Sequence, residues 1–168
     1  VFMKATGDFI ISFFPLFLLG AIFGKLMDDS GSAEAIAHWA VRTFGEARSI
    51  LVVVLSCALL TYGGVSLFVV AFAIYPIAQM LFQKNNLPER LIPGAIALGA
   101  FSFTMTALPG TPAIQNAIPM PFFGTTPFAA PFLGMMAGGI MLGLGMFWLE
   151  RRARLVAAQE EGYGQHPE

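Results

Sequence analysis

Charge is scarce in this sequence. Only 11% of the 168 residues are Asp, Glu, Lys or Arg, whereas 57% are hydrophobic. No charged residue occurs from position 49 to 83 or from 91 to 149. A soluble domain of this length needs more surface charge, and uncharged runs this long are typical of segments in lipid. We therefore predict an all-α integral membrane protein embedded in a bilayer.

Other absences exclude several function classes. The single Cys57 excludes a disulfide framework. Without a basic stripe interleaved with aromatics, nucleic-acid binding is not expected. The uncharged segments hold no paired carboxylates, no Ser-His or Cys-His set and no cluster of metal ligands. We therefore expect neither an enzyme, nor a bound metal, nor a cofactor.

The first part of the chain predicts one spanning helix and one short amphipathic helix. Residues 9–27 reach about 28 Å, with Asp8 placed to cap the helix and Gly20 and Gly24 spaced for close helix packing. Residues 32–45 follow with apolar residues on one helical face, Ser30 or Ser32 as the cap and Gly45 at the end. This second helix suits the membrane surface.

Residues 49–83 are too long for one membrane helix. The stretch TYGGVS, residues 61–66, divides them into arms of 13 and 16 residues, about 20 and 24 Å long. Each arm is shorter than a hydrocarbon core of about 30 Å. A re-entrant helical hairpin is therefore favoured over two transmembrane helices. In either form, Ser66 is placed to cap the second arm.

Residues 91–131 predict a broken membrane helix. A first helix covers 91–108, and Pro109-Gly110-Thr111-Pro112 interrupts it. The alternative is an external loop over residues 109–131, but that loop would expose many apolar side chains to water without one charge. Broken backbone at membrane depth is tolerated only where it is buried in protein or lines a cavity. Two interrupted segments in one chain are typical of transporter binding sites.

The remaining residues complete a membrane domain over 1–152. A last spanning helix is predicted at 132–149, followed by a polar tail or linker at 153–168. If the hairpin returns to its own side, eight of the nine basic residues share one face. We therefore expect residues 28–48, 84–90 and 150–168 on the cytoplasmic side. Because the chain starts at Val1 rather than Met, we also expect it to be a piece of a longer polypeptide.

Three stretches carry a family resemblance. LLTYGGVSLFVVAFAIYPIA, then TALPGTPAIQNAIP and FFGTT, resemble the gluconate:proton symporter type of permease within the ion-transporter superfamily. The resemblance implies a multi-pass carrier of organic acids in the bacterial inner membrane. It also implies inverted repeats, with a hairpin tip that meets an unwound helix at the substrate. This chain would be the first repeat, and a second half of the same polypeptide would be its partner.

The resemblance assigns substrate-binding residues to three places. They are the hairpin tip, the unwound segment and the Gly-Thr-Thr that follows: Thr61, Gly63, Gly64 and Ser66; Pro109, Gly110, Thr111, Pro112, Gln115 and Asn116; Gly124, Thr125 and Thr126. The chain departs from the family after the tip. Family members resemble LFFEVGF with an acidic residue there, whereas this sequence reads LFVVAF, with Val69 and Val70.

These observations favour a secondary active transporter of a small organic anion, coupled to H⁺ or Na⁺. Without Lys or Arg in the interrupted segments, the anion would be held by helix N-termini near Ser66 and Ala113, each carrying about half a positive charge. The alternative is a channel built from re-entrant half-helices. A homo-oligomer is compatible with either hypothesis.

Overall fold

The computed structural model describes residues 2–157 and Tyr163, and in this part of the chain every regular element is a helix. The α-helices among these residues are α1 (Phe2–Asp29), α2 (Ser32–Phe44), α3 (Ser49–Tyr62), α4 (Leu67–Lys84), α5 (Ile92–Ala100), α6 (Phe103–Thr106), α7 (Ile114–Ala117), α8 (Met120–Phe123) and α9 (Pro131–Ala157). Short 3-10 turns precede α3 and α5. The helical fold class is confirmed.

Helix α1 is longer than predicted, and the prediction that Asp8 caps it is wrong. The helix begins at Phe2, so Asp8 lies inside it. The Ser12 hydroxyl donates to the Asp8 carbonyl at 2.7 Å, one helical turn away. Gly24 makes a close approach: a methyl group built on it would lie 3.5 Å from a Val69 methyl carbon. A methyl group on Gly20 would meet nothing within 4 Å.

Helix α2 has the predicted two faces. Three alanines are buried on α3 and α4, namely Ala33, Ala37 and Ala40. The polar residues on the opposite face are exposed, namely Glu34, His38 and Arg42. The predicted serine cap is wrong, because Gly31 occupies the cap position without a side-chain hydrogen bond, and Ser30 and Ser32 bond to each other at 2.7 Å. The apolar face packs on protein, and the location of α2 at the membrane surface stays a prediction.

Helices α3 and α4 form an antiparallel helical hairpin. The predicted division at Gly63-Gly64 is observed, with arms of 14 and 18 residues. At the open end, which we call the hairpin base, the Ser49 hydroxyl donates to the Leu81 carbonyl at 3.2 Å. Asn85 at the end of α4 donates to the Ser49 hydroxyl at 2.7 Å. The residues of the turn, 61–66, therefore lie together at the other end, the hairpin tip.

The core of the described residues lies where α5 crosses α3. Gly99 of α5 has so little space that a methyl group on it would lie 2.6 Å from the Cys57 Cβ atom and would also collide with the Val54 carbonyl. Val54 and Cys57 are fully buried. A glycine at this point lets the two helix backbones approach closely, as is common between membrane helices.

The predicted single helix over residues 91–108 is wrong. Helix α5 ends at Ala100, and α6 is one turn that ends at Thr106. The Ser102 hydroxyl donates to the Leu98 carbonyl, and the buried Thr104 hydroxyl donates to the Gly99 carbonyl at 2.7 Å. These side chains occupy carbonyls that a continuing helix would use, which favours a break. The helix is therefore interrupted eight residues before Pro109.

Helix α9 is also longer than predicted, because it ends at Ala157 rather than at Leu149. Ala153 and Val156, assigned to the tail or linker, are 6% and 3% exposed because they pack on the core. Beyond Ala157, only Tyr163 of that predicted tail is among the described residues. The glycines of α9 fall into two groups: Gly134, Gly138 and Gly145 pack on residues 98–108, whereas Gly139 and Gly143 have open space beside them.

Among the described residues, three helices are long and apolar enough to cross a membrane: Phe2–Met27, Leu67–Lys84 and Pro131–Val156. A bent pair, α2 with α3, would be a fourth span, with 112° between its two parts. Since α4 alone reaches about 27 Å, the re-entrant form of the hairpin stays a prediction. The cytoplasmic location of residues 28–48, 84–90 and 150–168 also stays a prediction. Lys84 lies at the hairpin base, where it pairs with Glu46, but Lys25 directly follows Gly24, which contacts the tip.

Candidate functional site

The hairpin tip is a glycine turn. Gly63 closes α3, and Gly64 has φ of +96°, a left-handed value that favours glycine. Ser66 occupies the N-cap position of α4, as predicted, but its side chain makes no capping hydrogen bond. The tip therefore presents backbone and a hydroxyl at the start of an 18-residue helix.

The predicted Pro-Gly-Thr-Pro interruption lies in non-helical backbone between α6 and α7. Gly110 has φ of +77°, and its N–H donates to the Pro127 carbonyl at 2.8 Å. A methyl group on Gly110 would lie 2.8 Å from the Phe128 ring. The open side of Gly110 is therefore filled by Phe128 in this structure.

The tip and the interruption meet. The Tyr62 hydroxyl donates to the Pro109 carbonyl at 2.9 Å, across 47 residues of sequence. A methyl group on Gly64 would lie 3.5 Å from the Pro112 ring and 3.8 Å from the Phe23 ring. One on Gly24 of α1 would lie 3.7 Å from the Ser66 backbone nitrogen. Three separate parts of the sequence thus converge on one point.

Two buried hydroxyls beside this point differ in their partners. Thr61 is 7% exposed, and its Oγ1 has no hydrogen-bond partner among the described residues. The Thr111 Oγ1 accepts a long bond, 3.4 Å, from the Ala113 N–H. Ser56, deeper in α3, is also buried without a partner for its Oγ in the described part of the chain. Elsewhere, mid-helix hydroxyls such as that of Thr43 donate to the carbonyl four residues back. An unpaired buried hydroxyl is costly and is common at binding sites.

The later predicted residues are more exposed than Thr61 and Thr111. Gln115 is exposed and Asn116 is half-buried. The Gly-Thr-Thr is exposed, with Gly124 in a left-handed conformation at the end of α8: Gly124, Thr125 and Thr126. The expected helix dipole near Ala113 is wrong, because α7 is a single turn of four residues. A dipole that strong requires a longer helix.

The hairpin and the interrupted segment contribute no charged side chain to the site, because residues 49–83 and 91–149 are uncharged. Its field comes from backbone groups, above all the N-terminus of α4. No group of three His, Cys, Asp or Glu side chains that would hold a metal ion occurs in residues 2–157. The local chemistry suits hydrogen bonding to a small polar ligand.

Sequence reasoning missed three residues that hold the site together. They are Tyr62, which bonds to Pro109; Phe128, which covers Gly110; and Phe23, which contacts the tip. Tyr62 lies inside the TYGG stretch, so its position beside the glycine break was a usable signal. Nothing local identifies Phe23 or Phe128, because their contacts are set by the fold.

Comparisons with known proteins identify a family for this chain. A family model described as GntP family permease matches residues 3–146. The chain is 57% identical over 164 residues to the uncharacterized transporter YxjC of Bacillus subtilis (strain 168), which covers 98% of this chain. That match spans 35% of the relative's length. No solved structure matches.

The family model covers most of the chain, and the relative named as a transporter is similar along nearly all of it. The resemblance to gluconate-type permeases is thereby confirmed, and it points to a transporter rather than an enzyme. The chain belongs to the GntP family of permeases.

Proposed function

We propose that this chain forms part of a secondary active transporter that moves a small organic anion, such as a sugar acid or another carboxylate, across the bacterial inner membrane. Transport would proceed by alternating access with symport of H⁺ or Na⁺. The observation that carries the proposal is the contact between the two interrupted segments, through the bond from Tyr62 to Pro109 and the packing of Gly64 on Pro112. Interrupted helices that meet at one point are the usual construction of a transporter binding site.

The anion would be held without a cation from the hairpin or the interrupted segment. The N-terminus of α4 carries unpaired amides and a partial positive charge of about half a unit. The unpaired Thr61 hydroxyl belongs to the last turn of α3, on the other arm of the hairpin, and is able to donate a hydrogen bond to a carboxylate. Thr111 and Asn116 would add polar contacts from the other segment.

Substrate entry would require a rearrangement at the glycines. The resemblance assigns Gly64 and Gly110 to substrate binding, but Pro112 and Phe128 lie beside them in this structure. Alternating access supplies such a rearrangement, because the tip and the interrupted segment would part when the site opens. Phe128 is 66% exposed, so it has room to move.

The rest of the site would come from a second half of the polypeptide. Residues 121–130 are all exposed, and they combine Phe122, Phe123 and Phe128 with Thr125 and Thr126. Irregular backbone at membrane depth needs protein around it. A second repeat of opposite topology would cover this segment and complete the site.

The coupling ion would not use the position after the tip. Val69 packs towards Gly24, and Val70 is fully buried on α4. Both side chains are hydrocarbon, so neither exchanges a proton. We therefore place the ion site in other residues, including those of the second half.

The direct test is uptake by vesicles that hold the full-length protein, with a panel of labelled organic acids and an imposed H⁺ or Na⁺ gradient. A transporter gives saturable uptake that the gradient drives. Conductance that does not saturate with substrate would contradict the proposal and indicate a channel.

Protection from labelling tests the location of the site. Single cysteines at Thr111 and Asn116 are expected to react more slowly with a thiol reagent when substrate is present. The buried Cys57 leaves a low background, and a Cys57→Ser variant removes it. A cysteine at exposed Gln83, at the hairpin base, is the control whose rate should not change. Equal labelling of Thr111→Cys with and without substrate would contradict the site.

A further inference from the structure

A cavity of about 500 Å³ opens at the hairpin base, at the opposite end of α3 from the tip. The start of α3 and the last turns of α9 form its walls. Its lining includes both charged and apolar side chains: Arg48, Ser49, Leu51, Leu87, Glu150 and Arg154. A second depression of about 240 Å³ shares Glu150 and Arg154 and adds Arg151 and Phe147. The two depressions flank the same turn of α9.

The charge of this region is positive. Three arginines line the two depressions, Arg48, Arg151 and Arg154, against one carboxylate, Glu150. The closest atoms of Glu150 and Arg154 are 3.6 Å apart, and the two side chains are 51% and 83% exposed. Such an exposed pair is weak, so Arg154 remains able to bind another anion. The adjacent Glu46 carboxylate pairs with Lys84 instead.

The position along α9 corresponds to the edge of a membrane. Residues 131–149 of the helix are uncharged, and the first charges are Glu150 and Arg151. Trp148 is 56% exposed at this boundary, and the Arg152 guanidinium lies 6.0 Å from its ring centre. Trp and Arg at a helix end are typical of the headgroup region. The cavity therefore lies at headgroup depth.

An apolar strip leads from the second depression, which Phe147 lines, towards the middle of the membrane. Ile140, Leu144 and Phe147 are exposed by 58%, 65% and 64%. They are spaced by four and three residues, and Arg151 follows four residues after Phe147, so all four lie on one face of α9. A ligand with an anionic head and an extended apolar chain would match both the arginines and this strip.

We propose that the cavity at the hairpin base binds the phosphate of an anionic phospholipid. Arg48 and Arg154 hold the phosphate from opposite walls, and Arg151 contacts it from the second depression. An acyl chain lies along Ile140, Leu144 and Phe147. Basic pockets between membrane helices are known to bind anionic headgroups, because arginine pairs well with phosphate oxygens. This binding is independent of the transported substrate.

The test uses the full-length protein in nanodiscs of phosphatidylcholine that contain a minor share of phosphatidylglycerol. After extraction in mild detergent, bound lipids are counted by native mass spectrometry. Wild-type protein should retain phosphatidylglycerol over phosphatidylcholine. Arg48→Gln and Arg154→Gln should each weaken that retention by about 5-fold, which corresponds to about 1 kcal/mol for one arginine at a membrane surface. Arg42→Gln, on the exposed face of α2, is the matched control and should bind as wild type.

Further measurements distinguish a bound lipid from a bound free phosphate. Leu144→Ser should weaken phosphatidylglycerol retention, and water-soluble glycerol phosphate should not displace the lipid at equal concentration. Displacement by glycerol phosphate would assign the site to a soluble phosphate and overturn the proposal. Equal retention of both lipids by wild type, or wild-type retention by the Arg48→Gln Arg154→Gln double variant, would also overturn it. Thermal unfolding of each variant verifies that it is folded.

Discussion

The two ends of the α3–α4 hairpin are held by different chemistry. At the base, polar side chains make a network: Ser49 bonds to the Leu81 carbonyl, Asn85 bonds to Ser49, and Lys84 pairs with Glu46. At the tip, backbone shape dominates. Gly64 packs on Pro112, and the Tyr62 hydroxyl donates a hydrogen bond to the Pro109 carbonyl of the interruption.

This difference indicates which end is able to move. A network of several bonds at the base fixes the spacing of the two arms, and losing one bond leaves the others in place. In the described part of the chain, the tip contact rests on close packing and on the Tyr62 hydrogen bond, whose net contribution is about 0.5 to 1.5 kcal/mol. The tip is therefore the end that can part from its neighbour at modest cost, as an alternating site requires.

The largest effect is expected from Gly64→Val. The left-handed φ of +96° disfavours a β-branched residue, and the added side chain would press on Pro112 and Phe23. We expect uptake to be abolished at near-normal membrane abundance, measured as the initial rate in vesicles. Gly139→Val on α9 is the control, because a methyl group there meets nothing within 4 Å. Normal uptake by Gly64→Val would show that the tip does not form the site.

The next largest effect is expected from replacing an asparagine in the interrupted segment, compared with replacing one at the base. Asn116→Ala, in the interrupted segment, should weaken substrate binding by about 1 to 3 kcal/mol, the usual cost of leaving a buried polar partner unpaired. Asn85→Ala, at the base, should instead lower the free energy of unfolding, since its amide bonds to the Glu46 and Leu81 carbonyls. Substrate affinity and thermal unfolding are measured for both. The comparison fails if Asn116→Ala binds substrate as wild type does.

A smaller effect on uptake is expected from removing the hydroxyl of a tyrosine at the tip, compared with removing one on the base side. Tyr62→Phe removes the bond to Pro109 at the tip, and Tyr75→Phe removes the bond to Glu89 on the base side. We expect Tyr62→Phe to change the maximal uptake rate by up to about 10-fold, consistent with about 1.4 kcal/mol, with little change in KM. Tyr75→Phe should leave uptake unchanged. Equal uptake by the two variants would remove the distinction between tip and base.

The smallest effect is expected at the Lys84–Glu46 pair. Its side chains are 59% and 50% exposed, so Lys84→Gln should cost at most about 1 kcal/mol of stability. The difference from wild type should shrink at high salt because exposed ion pairs are screened. Thermal unfolding at low and high salt measures it. A large loss of stability that persists in high salt would mean that the base depends on this pair.

Several features could be predicted because they depend on local chemistry. The glycine pair divides the hairpin, since Gly64 adopts a conformation that other residues avoid. The alanine face of α2 is buried because its spacing follows the helical period. Prolines at positions 109 and 112 lie in non-helical backbone, since proline lacks a backbone donor.

Other features could not be read from local sequence. The break after Ala100 contains no proline, and it is accompanied by the bonds of Ser102 and Thr104 to nearby carbonyls. Helix α9 continues to Ala157 because Ala153 and Val156 find an apolar surface on the rest of the fold. Charge alone suggested that the helix ends at Leu149. A packing partner outweighed that signal.

The sequence by itself determined that this is a helical membrane protein, because long uncharged runs and the glycine and proline interruptions have direct physical consequences. The permease family followed from the resemblance of three sequence stretches, and the family model confirmed it. Tertiary structure decided which interruptions meet. Tyr62 and Pro109 are 47 residues apart in the chain, and only the packing of α3, α5 and α1 brings them within hydrogen-bond distance. It also brought Arg48 and Arg154 to one cavity. Contacts between distant residues depend on the relative placement of whole helices, and no local pattern encodes that placement.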